Sequence, residues 1–291
     1  KSVAASGSGA ALIKTPDLAH AIVRAARQGL EDWAGGQSIH SQGFKPSRIE
    51  FIHTLNHSRS GVPVVPRRLL PLSIKTRLGF DCVVVERWVE HLLAARPAAI
   101  TLHGRTLQQM YRGAADWSAI AEAAKLAHGT GTLMLGNGDL NTLVDAIRRA
   151  AESKVQGVLV GRGTLGSPWF FREKEQARRA FSERDDLPTL PAAAWEPQVS
   201  VSHRMQVMLD HARQYEAIAG LERFRSIRKH LGWYCKGFPH AAAMRGKMFG
   251  ASNVQDVERI VAEFCQELMQ AERDASAPTP LAAQTSSVSV A

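Results

Sequence analysis

The chain has 291 residues, of which 45% are hydrophobic and 22% charged, a balance typical of a globular protein with a buried core. Its formal net charge of +9 favours a polyanionic partner such as nucleic acid or an anionic cofactor, although a solvated basic surface explains the charge equally well. No apolar run is long enough to span a membrane, and the three cysteines have no paired spacing, which argues against a membrane protein and a disulfide framework.

The first predicted element is a helix that begins at Thr15 and extends to about Gln28. Thr15 is a suitable N-cap, Pro16 suits the first helical position, and Asp17 complements the positive end of the helix dipole.

Residues 35–71 mix Gly, Ser, Pro, Arg and His, and we predict a long mobile insertion there. Only residues 49–55 (IEFIHTL) have the pattern of a short strand. His53 and His57 in this segment are spaced like zinc ligands, but no further ligands accompany them, so we predict no metal site.

From residue 72 onward, short apolar runs alternate with amphipathic windows at 84–95, 117–127 and 143–152. The runs are LSIKTR, AAITLHGRT, TLMLGNGD and GVLVGRG, and this alternation predicts βαβ units with a parallel sheet. Polar residues end each run, which is typical of a (β/α)8 barrel and also of a doubly wound sheet. Four strands are half of a barrel, so we interpret residues 1–182 as the C-terminal half of a TIM barrel whose first half is expected upstream of Lys1.

The rest of the chain is predicted to be helical and basic. Residues 183–199 resemble a linker, 200–272 a small helical domain with helices at 202–217, 222–233 and 253–271, and 273–291 a disordered tail. The candidate RNA-binding residues in this domain are Arg225, Arg228, Lys229 and Lys236, with a solvated helix face as the alternative.

Two glycine turns suggest a phosphate site. GNGD (136–139) and GRG (161–163) each follow a strand, where glycines let the backbone approach a ligand closely. Strand alternation places Lys75 and Arg77 on one face, where two cations would be costly to bury without an anion. His103 is either a structural hydrogen-bonding residue or a ligand-binding one, and Cys82, Cys235 and Cys265 are interpreted as packing or surface residues.

The segments SIKTRLGFD, ITLHGRTLQQMYRGAADW, LMLGNGDL and GVLVGRGTLGSPWFF, in this order, resemble the tRNA-dihydrouridine synthase family. The opening GSGAALIKTPDLA and the far segment RKHLGWYCKGFPHAAAMR are similar to its bacterial B-type members. The resemblance implies an FMN-binding (β/α)8 barrel followed by a helical domain that helps to bind tRNA. In the family NADPH reduces the flavin, a hydride passes to C6 of a uridine, and a cysteine donates a proton to C5.

The resemblance also implies roles for single residues. Lys75 matches the lysine at the flavin ring, and Arg77 and Arg105 match arginines near the flavin and substrate. The remaining matches are the flavin-contacting His103 and the phosphate-binding turns with Asn137, Gly138, Asp139, Gly161 and Arg162. The catalytic cysteine of the family is expected upstream of Lys1.

We therefore expect part of an FMN- and NADPH-dependent tRNA-dihydrouridine synthase, monomeric, without a metal or a membrane segment, in the cytoplasm or an organelle. One alternative is another FMN barrel oxidoreductase of the dihydropyrimidine or dihydroorotate type, against which the basic helical segment argues. The other is a non-catalytic RNA-binding remnant.

Overall fold

The four short apolar runs of the sequence form one sheet. The computed structural model describes residues 2–60, 67–175 and 199–276, and in it every neighbouring pair of strands is parallel, in the order β1-β2-β3-β4. The predicted α/β class with a parallel sheet is thereby confirmed. The strands are β1 (Ser73–Arg77), β2 (Ala99–His103), β3 (Leu133–Asn137) and β4 (Gly157–Leu159).

The described residues form two compact units. The first contains residues 2–60, 67–164 and 170–175, and the second contains Leu165–Trp169 and 199–276. The helices of the first unit are α1 (Ser2–Ala5), α2 (Pro16–Ala34), α3 (Pro46–Ser60), α4 (Val85–Leu93), α5 (Trp117–Ala127) and α6 (Leu143–Ser153), with 3-10 helices at Gly9–Lys14, Ile39–Gln42 and Arg162–Thr164.

One face of the sheet packs into the core of the first unit. Ile100, Leu102 and Met134 are fully buried there, in the same cluster as apolar residues of α4 and α5. Gly136 leaves room for the Trp117 ring, since a Cβ at this position would lie 2.5 Å from that ring. The opposite face therefore carries the alternate residues of each strand, including the predicted functional ones.

In its described part, the insertion segment (residues 35–71) contains the 3-10 helix Ile39–Gln42 and α3 rather than a strand, so the strand predicted at 49–55 is wrong. Those residues lie inside α3, which starts at Pro46, a residue whose fixed φ suits the first turn. Their apolar residues recur at spacings of three and four as well as two, and such short runs do not separate a strand from a helix. Residues 61–66 lie outside the described chain, and α2 continues to Ala34, beyond the predicted end at Gln28.

The second unit is helical in its described part. The helix predicted at 222–233 is divided at Ile227, and a helix between the second and third predicted ones was missed, because glycines and a proline flank it. Apolar side chains such as Met208, Phe224, Leu231 and Met248 form its core. Its elements are α7 (Val201–Ala219), a 3-10 helix at Leu221–Ser226, α8 (Arg228–Tyr234), α9 (Ala241–Gly250) and α10 (Val254–Ser276).

Helix α10 continues to Ser276, so the first residues of the tail predicted at 273–291 are helical. The other tail residues, and the predicted linker 183–199 apart from its last residue, lie outside the described chain. The domain boundary expected there stays a prediction. Within the described residues, no helix is long and apolar enough to cross a membrane, and no group of three His, Cys, Asp or Glu side chains could hold a metal.

Candidate cofactor site

Two cations lie on the open face of the sheet. Lys75 Nζ donates to Asn137 Oδ1 at 3.2 Å, and Arg77 donates to the carbonyl of Thr106 at 3.0 Å. Burial, assisted by the charge of Arg77, lowers the pKa of Lys75. In the described part of the chain, neither cation forms an ion pair with a carboxylate. Lys75 is exposed and Arg77 is partly buried, so the pair is positive charge facing the side on which an anion could bind.

His103 lies in the same row. It is paired in register with Arg77 on β1 and with Asn137 on β3. Burial, together with the charges of Arg77, Lys75 and Arg105, lowers the pKa of His103 to about 4. The imidazole is therefore neutral at pH 7, with one ring nitrogen as a donor and the other as an acceptor.

The GNGD turn follows β3. Asn137 Nδ2 donates to the carbonyl of Leu159 at 2.8 Å, which joins the ends of β3 and β4. Gly138 has a φ of +142°, and a Cβ there would lie 2.5 Å from Cβ of Ala115. Trp117 Nε1 donates to the Gly138 carbonyl at 3.1 Å. Only glycine fits this position. The turn is held by two hydrogen bonds, one from Trp117 to the Gly138 carbonyl and one from Asn137 to the Leu159 carbonyl.

Asp139 joins two arginines. One carboxylate oxygen accepts from Arg105 at 2.5 Å and from the Ala115 N–H at 2.8 Å, and the other accepts from Arg162 at 2.7 Å. Burial alone would raise the pKa of Asp139, but the hydrogen bonds from Arg105 and Ala115 and the arginine charges outweigh it and hold the pKa below its usual 3.8. The carboxylate therefore positions both arginines.

Arg105 lies beneath this network and is only 2% exposed. Its guanidinium also donates to the carbonyls of Arg112 at 3.1 Å and Gly113 at 2.6 Å. Arg105 thus holds the loop after β2 against the GNGD turn. The structure brings it to the predicted edge of the sheet, but with its donors directed at the protein.

Arg162 is the exposed partner of Asp139. Its side chain is 57% exposed, and its guanidinium lies 5.0 Å from the centre of the Tyr111 ring. At the neighbouring Gly161 a Cβ would meet no atom within 4 Å, so the backbone there faces open space. The two glycine turns predicted to bind phosphate are thus adjacent, with one arginine available between them.

These residues fit a flavin mononucleotide. The glycine turns and Arg162 offer backbone access and a held cation for a phosphate. Lys75, Arg77 and neutral His103 line one face, where the cations suit an anionic ring system.

Sequence comparisons bear on the same residues. The model of the family described as Dihydrouridine synthase (Dus) matches residues 58–273, nearly three quarters of the chain. The chain belongs to this family. It is 32% identical over 189 residues to the probable tRNA-dihydrouridine synthase 1 of Synechocystis sp., which covers 64% of this chain and 49% of the relative.

Two further relatives of the dihydrouridine synthase family give similar values. The probable tRNA-dihydrouridine synthase of Rhodobacter capsulatus is 37% identical over 189 residues, covering 63% of this chain and 52% of the relative. The protein of the same name in Mycobacterium tuberculosis strain H37Rv is 34% identical over 183 residues, covering 60% of this chain and 42% of the relative. The chain spans about half the length of these relatives.

The predicted RNA-binding cations of this dihydrouridine synthase family member lie in the second unit. Arg225 and Lys229 are exposed. Lys236 is also exposed, and its Nζ donates to the Leu165 carbonyl at 3.1 Å. Arg228 differs, since its Nε donates to the Ala251 carbonyl at 2.5 Å. The structure therefore assigns Arg228 to packing between α8 and the residues before α10.

Sequence reasoning missed the role of Tyr111. The residue lies in the quoted segment TLQQMYRG, and its ring is 69% exposed beside Arg162. It also lines a cleft of about 880 Å³ together with Arg77, Phe80 and Met110. The available signal was a tyrosine followed directly by a cation and a glycine, Tyr111-Arg112-Gly113, within a segment rich in polar residues.

Proposed function

We propose that this chain is part of an FMN- and NADPH-dependent tRNA-dihydrouridine synthase. In this proposal it contributes the C-terminal half of a (β/α)8 barrel and a helical domain that binds tRNA. Family membership supports the reaction class, and the names of the relatives, which are tRNA-dihydrouridine synthases, support tRNA as the substrate. The observation that carries the cofactor proposal is the cation pair Lys75 and Arg77 beside two adjacent glycine turns, a pair to which no carboxylate of the described residues is bonded.

Bound FMN, once reduced by NADPH, would supply the hydride that adds to C6 of a uridine, while a proton from a general acid adds to C5 and completes reduction of the C5=C6 bond. Lys75 would hold its positive charge toward the flavin ring, where it stabilises an anionic form. The backbone at Gly138 and Gly161, together with Arg162, would bind the phosphate. Asp139 would orient Arg162, and neutral His103 would hydrogen-bond to the ring without adding charge.

Recognition of tRNA would use the second unit. Its exposed cations Arg225, Lys229 and Lys236 suit the phosphate backbone, which dominates affinity for nucleic acids. A uridine within folded RNA must leave its stack to reach a flavin face, so a separate basic surface is needed to hold the rest of the molecule.

The test of the cofactor role is flavin retention. Lys75→Ala should bind FMN at least about tenfold more weakly, because a hydrogen bond to a charged group contributes about 1.5–3 kcal/mol. The measurement is the flavin absorbance of the purified protein and an FMN titration followed by fluorescence. Lys125→Ala is the matched control, since Lys125 is an exposed lysine that pairs with Glu122 on the exposed side of α5. Equal FMN affinity in the two variants would contradict the proposed role of Lys75.

The substrate is tested by incubating the full-length protein that contains this chain with FMN, NADPH and a tRNA transcript. Dihydrouridine in the digested RNA, detected by its mass, is the expected product. If the protein leaves tRNA unmodified but reduces free uracil or oxidises dihydroorotate, the result would favour another FMN oxidoreductase.

A further inference from the structure

A second cleft lies in the insertion segment, away from the glycine turns in sequence. Its volume is about 540 Å³, within the range of small-ligand sites. It is formed where the 3-10 helix Ile39–Gln42 leads into α3. The lining residues are Gly43, Phe44, Lys45, Ser47, Arg48 and Phe51.

Two aromatic rings of this cleft are in contact with solvent. Phe44 is 51% exposed and Phe51 is 57% exposed, whereas Ile49 between them is buried at 4%. Single exposed apolar side chains are normal on protein surfaces. Two exposed phenylalanine rings that line one cleft are a different observation, because a planar group can stack on the face of either ring.

The polar lining of the cleft is positively charged. Lys45 and Arg48 both border it. Among the described residues, no carboxylate forms an ion pair with either of them. Residues 38–60 contain three lysines and arginines and a single acidic residue, Glu50. The cleft thus combines stacking surface with uncompensated positive charge.

Local contacts fix the shape of this segment. Ser38 Oγ accepts from the His40 N–H at 3.2 Å, and the rings of His40 and His53 stack with centres 6.3 Å apart, which ties the 3-10 helix to α3. At the base of the segment Arg67 donates to the carbonyls of Trp33 at 3.2 Å and Gln37 at 2.8 Å. The cleft is therefore built on an anchored framework.

We propose that this cleft binds an unpaired nucleotide of RNA, with its base on Phe44 and Phe51 and its phosphates on Lys45 and Arg48. Stacking aromatics beside cations are the combination that binds single-stranded nucleic acids. An apolar protein segment would leave both cations without a partner, so charge complementarity favours RNA. The identification of that RNA as tRNA rests on the proposed function.

The experiment measures binding of the full chain to fluorescein-labelled oligouridylate by anisotropy. Phe44→Ala/Phe51→Ala should weaken binding at least about tenfold, since stacking on one aromatic ring is sufficient for such an effect. Lys45→Ala/Arg48→Ala should reduce the slope of log Kd against log salt by about 1.4, that is, about 0.7 per lost phosphate contact. The matched controls are Phe249→Ala, whose ring is 52% exposed in the second unit, and Lys125→Ala.

Unchanged Kd values in both double variants, with unchanged circular dichroism, would overturn the proposal. A poly-glutamate peptide that displaces the oligonucleotide equally from the wild type and the phenylalanine variant would also overturn it, and would indicate an acidic protein partner. FMN titration of each variant separates the two proposals. Loss of oligonucleotide binding in the phenylalanine variant supports the cleft even if the wild type fails to bind FMN, and that failure would count against the cofactor site alone.

Discussion

Substitution of Asp139 by asparagine tests how much its ion pair with the buried Arg105 stabilises the fold, compared with its ion pair with the exposed Arg162. The side chain of Arg105 is 3% exposed, that of Asp139 27% and that of Arg162 57%. Asp139→Asn keeps the shape of the turn and removes the only carboxylate that pairs with Arg105 among the described residues. Breaking a buried ion pair from one side costs about 3–5 kcal/mol.

The expected loss is smaller than this range. Arg105 keeps its bonds to backbone carbonyls, and the amide oxygen of asparagine still accepts, so we expect a loss of about 2 kcal/mol in the free energy of unfolding. Arg162→Ala removes only the exposed pair, which contributes less than about 1 kcal/mol. Glu122→Gln on α5 makes the same change of charge at an exposed site and is the matched control.

The assay is hydrogen exchange with mass spectrometry in increasing urea, followed on the peptide that contains β3, because this reports unfolding of the first unit alone. Since the folded pKa of Asp139 is depressed, its stabilisation is present above pH 3.8 and is lost as pH falls through the folded pKa. The difference between the wild type and Asp139→Asn should therefore shrink below that pH. Equal losses for Asp139→Asn and Glu122→Gln at pH 7 would refute the reasoning.

Two other predictions concern packing and titration. Gly136→Ala should lower the free energy of unfolding by about 1–3 kcal/mol, because its Cβ would meet the Trp117 ring. Gly29→Ala lies inside α2, where an added Cβ would meet no atom within 4 Å, and should raise the free energy of unfolding by about 0.5–1 kcal/mol. Thermal unfolding of both variants checks this, and a shift of the melting temperature in the same direction for both would contradict it. The imidazole of His103 should titrate near pH 4 by NMR, against a usual 6.5. Because the unfolded chain then binds more protons, stability should rise with pH between about 4 and 6.5, and His103→Gln should flatten that rise.

The parts of the fold that the sequence predicts are those set by short-range pattern. Each strand is a short apolar run that ends in a glycine or a polar residue, and parallel strands bring their carboxyl ends to one edge, which is why Lys75, His103 and Asn137 could be placed together. The predicted strand at 49–55 failed because its apolar spacing also suits a helix and because Pro46 starts one.

The contacts within the site were less accessible to sequence reasoning. Asp139 was matched to a phosphate-binding turn, yet its partner Arg105 lies 34 residues earlier in the chain. A motif shows which residue types are present, but not which donor faces which acceptor across that distance. The exposure that separates Arg105 from Arg162 also depends on packing around both, and no local pattern reports it.

The bonds of Asn137 explain why this turn carries an amide. On one side stands Lys75, which can only donate, and on the other the Leu159 carbonyl, which can only accept. A carboxylate would repel the carbonyl, and an apolar residue would satisfy neither neighbour. The amide is thus held in a single orientation, with its oxygen toward β1 and its nitrogen toward β4. This one side chain therefore links the ends of β1, β3 and β4 by matching a donor on one strand to an acceptor on another.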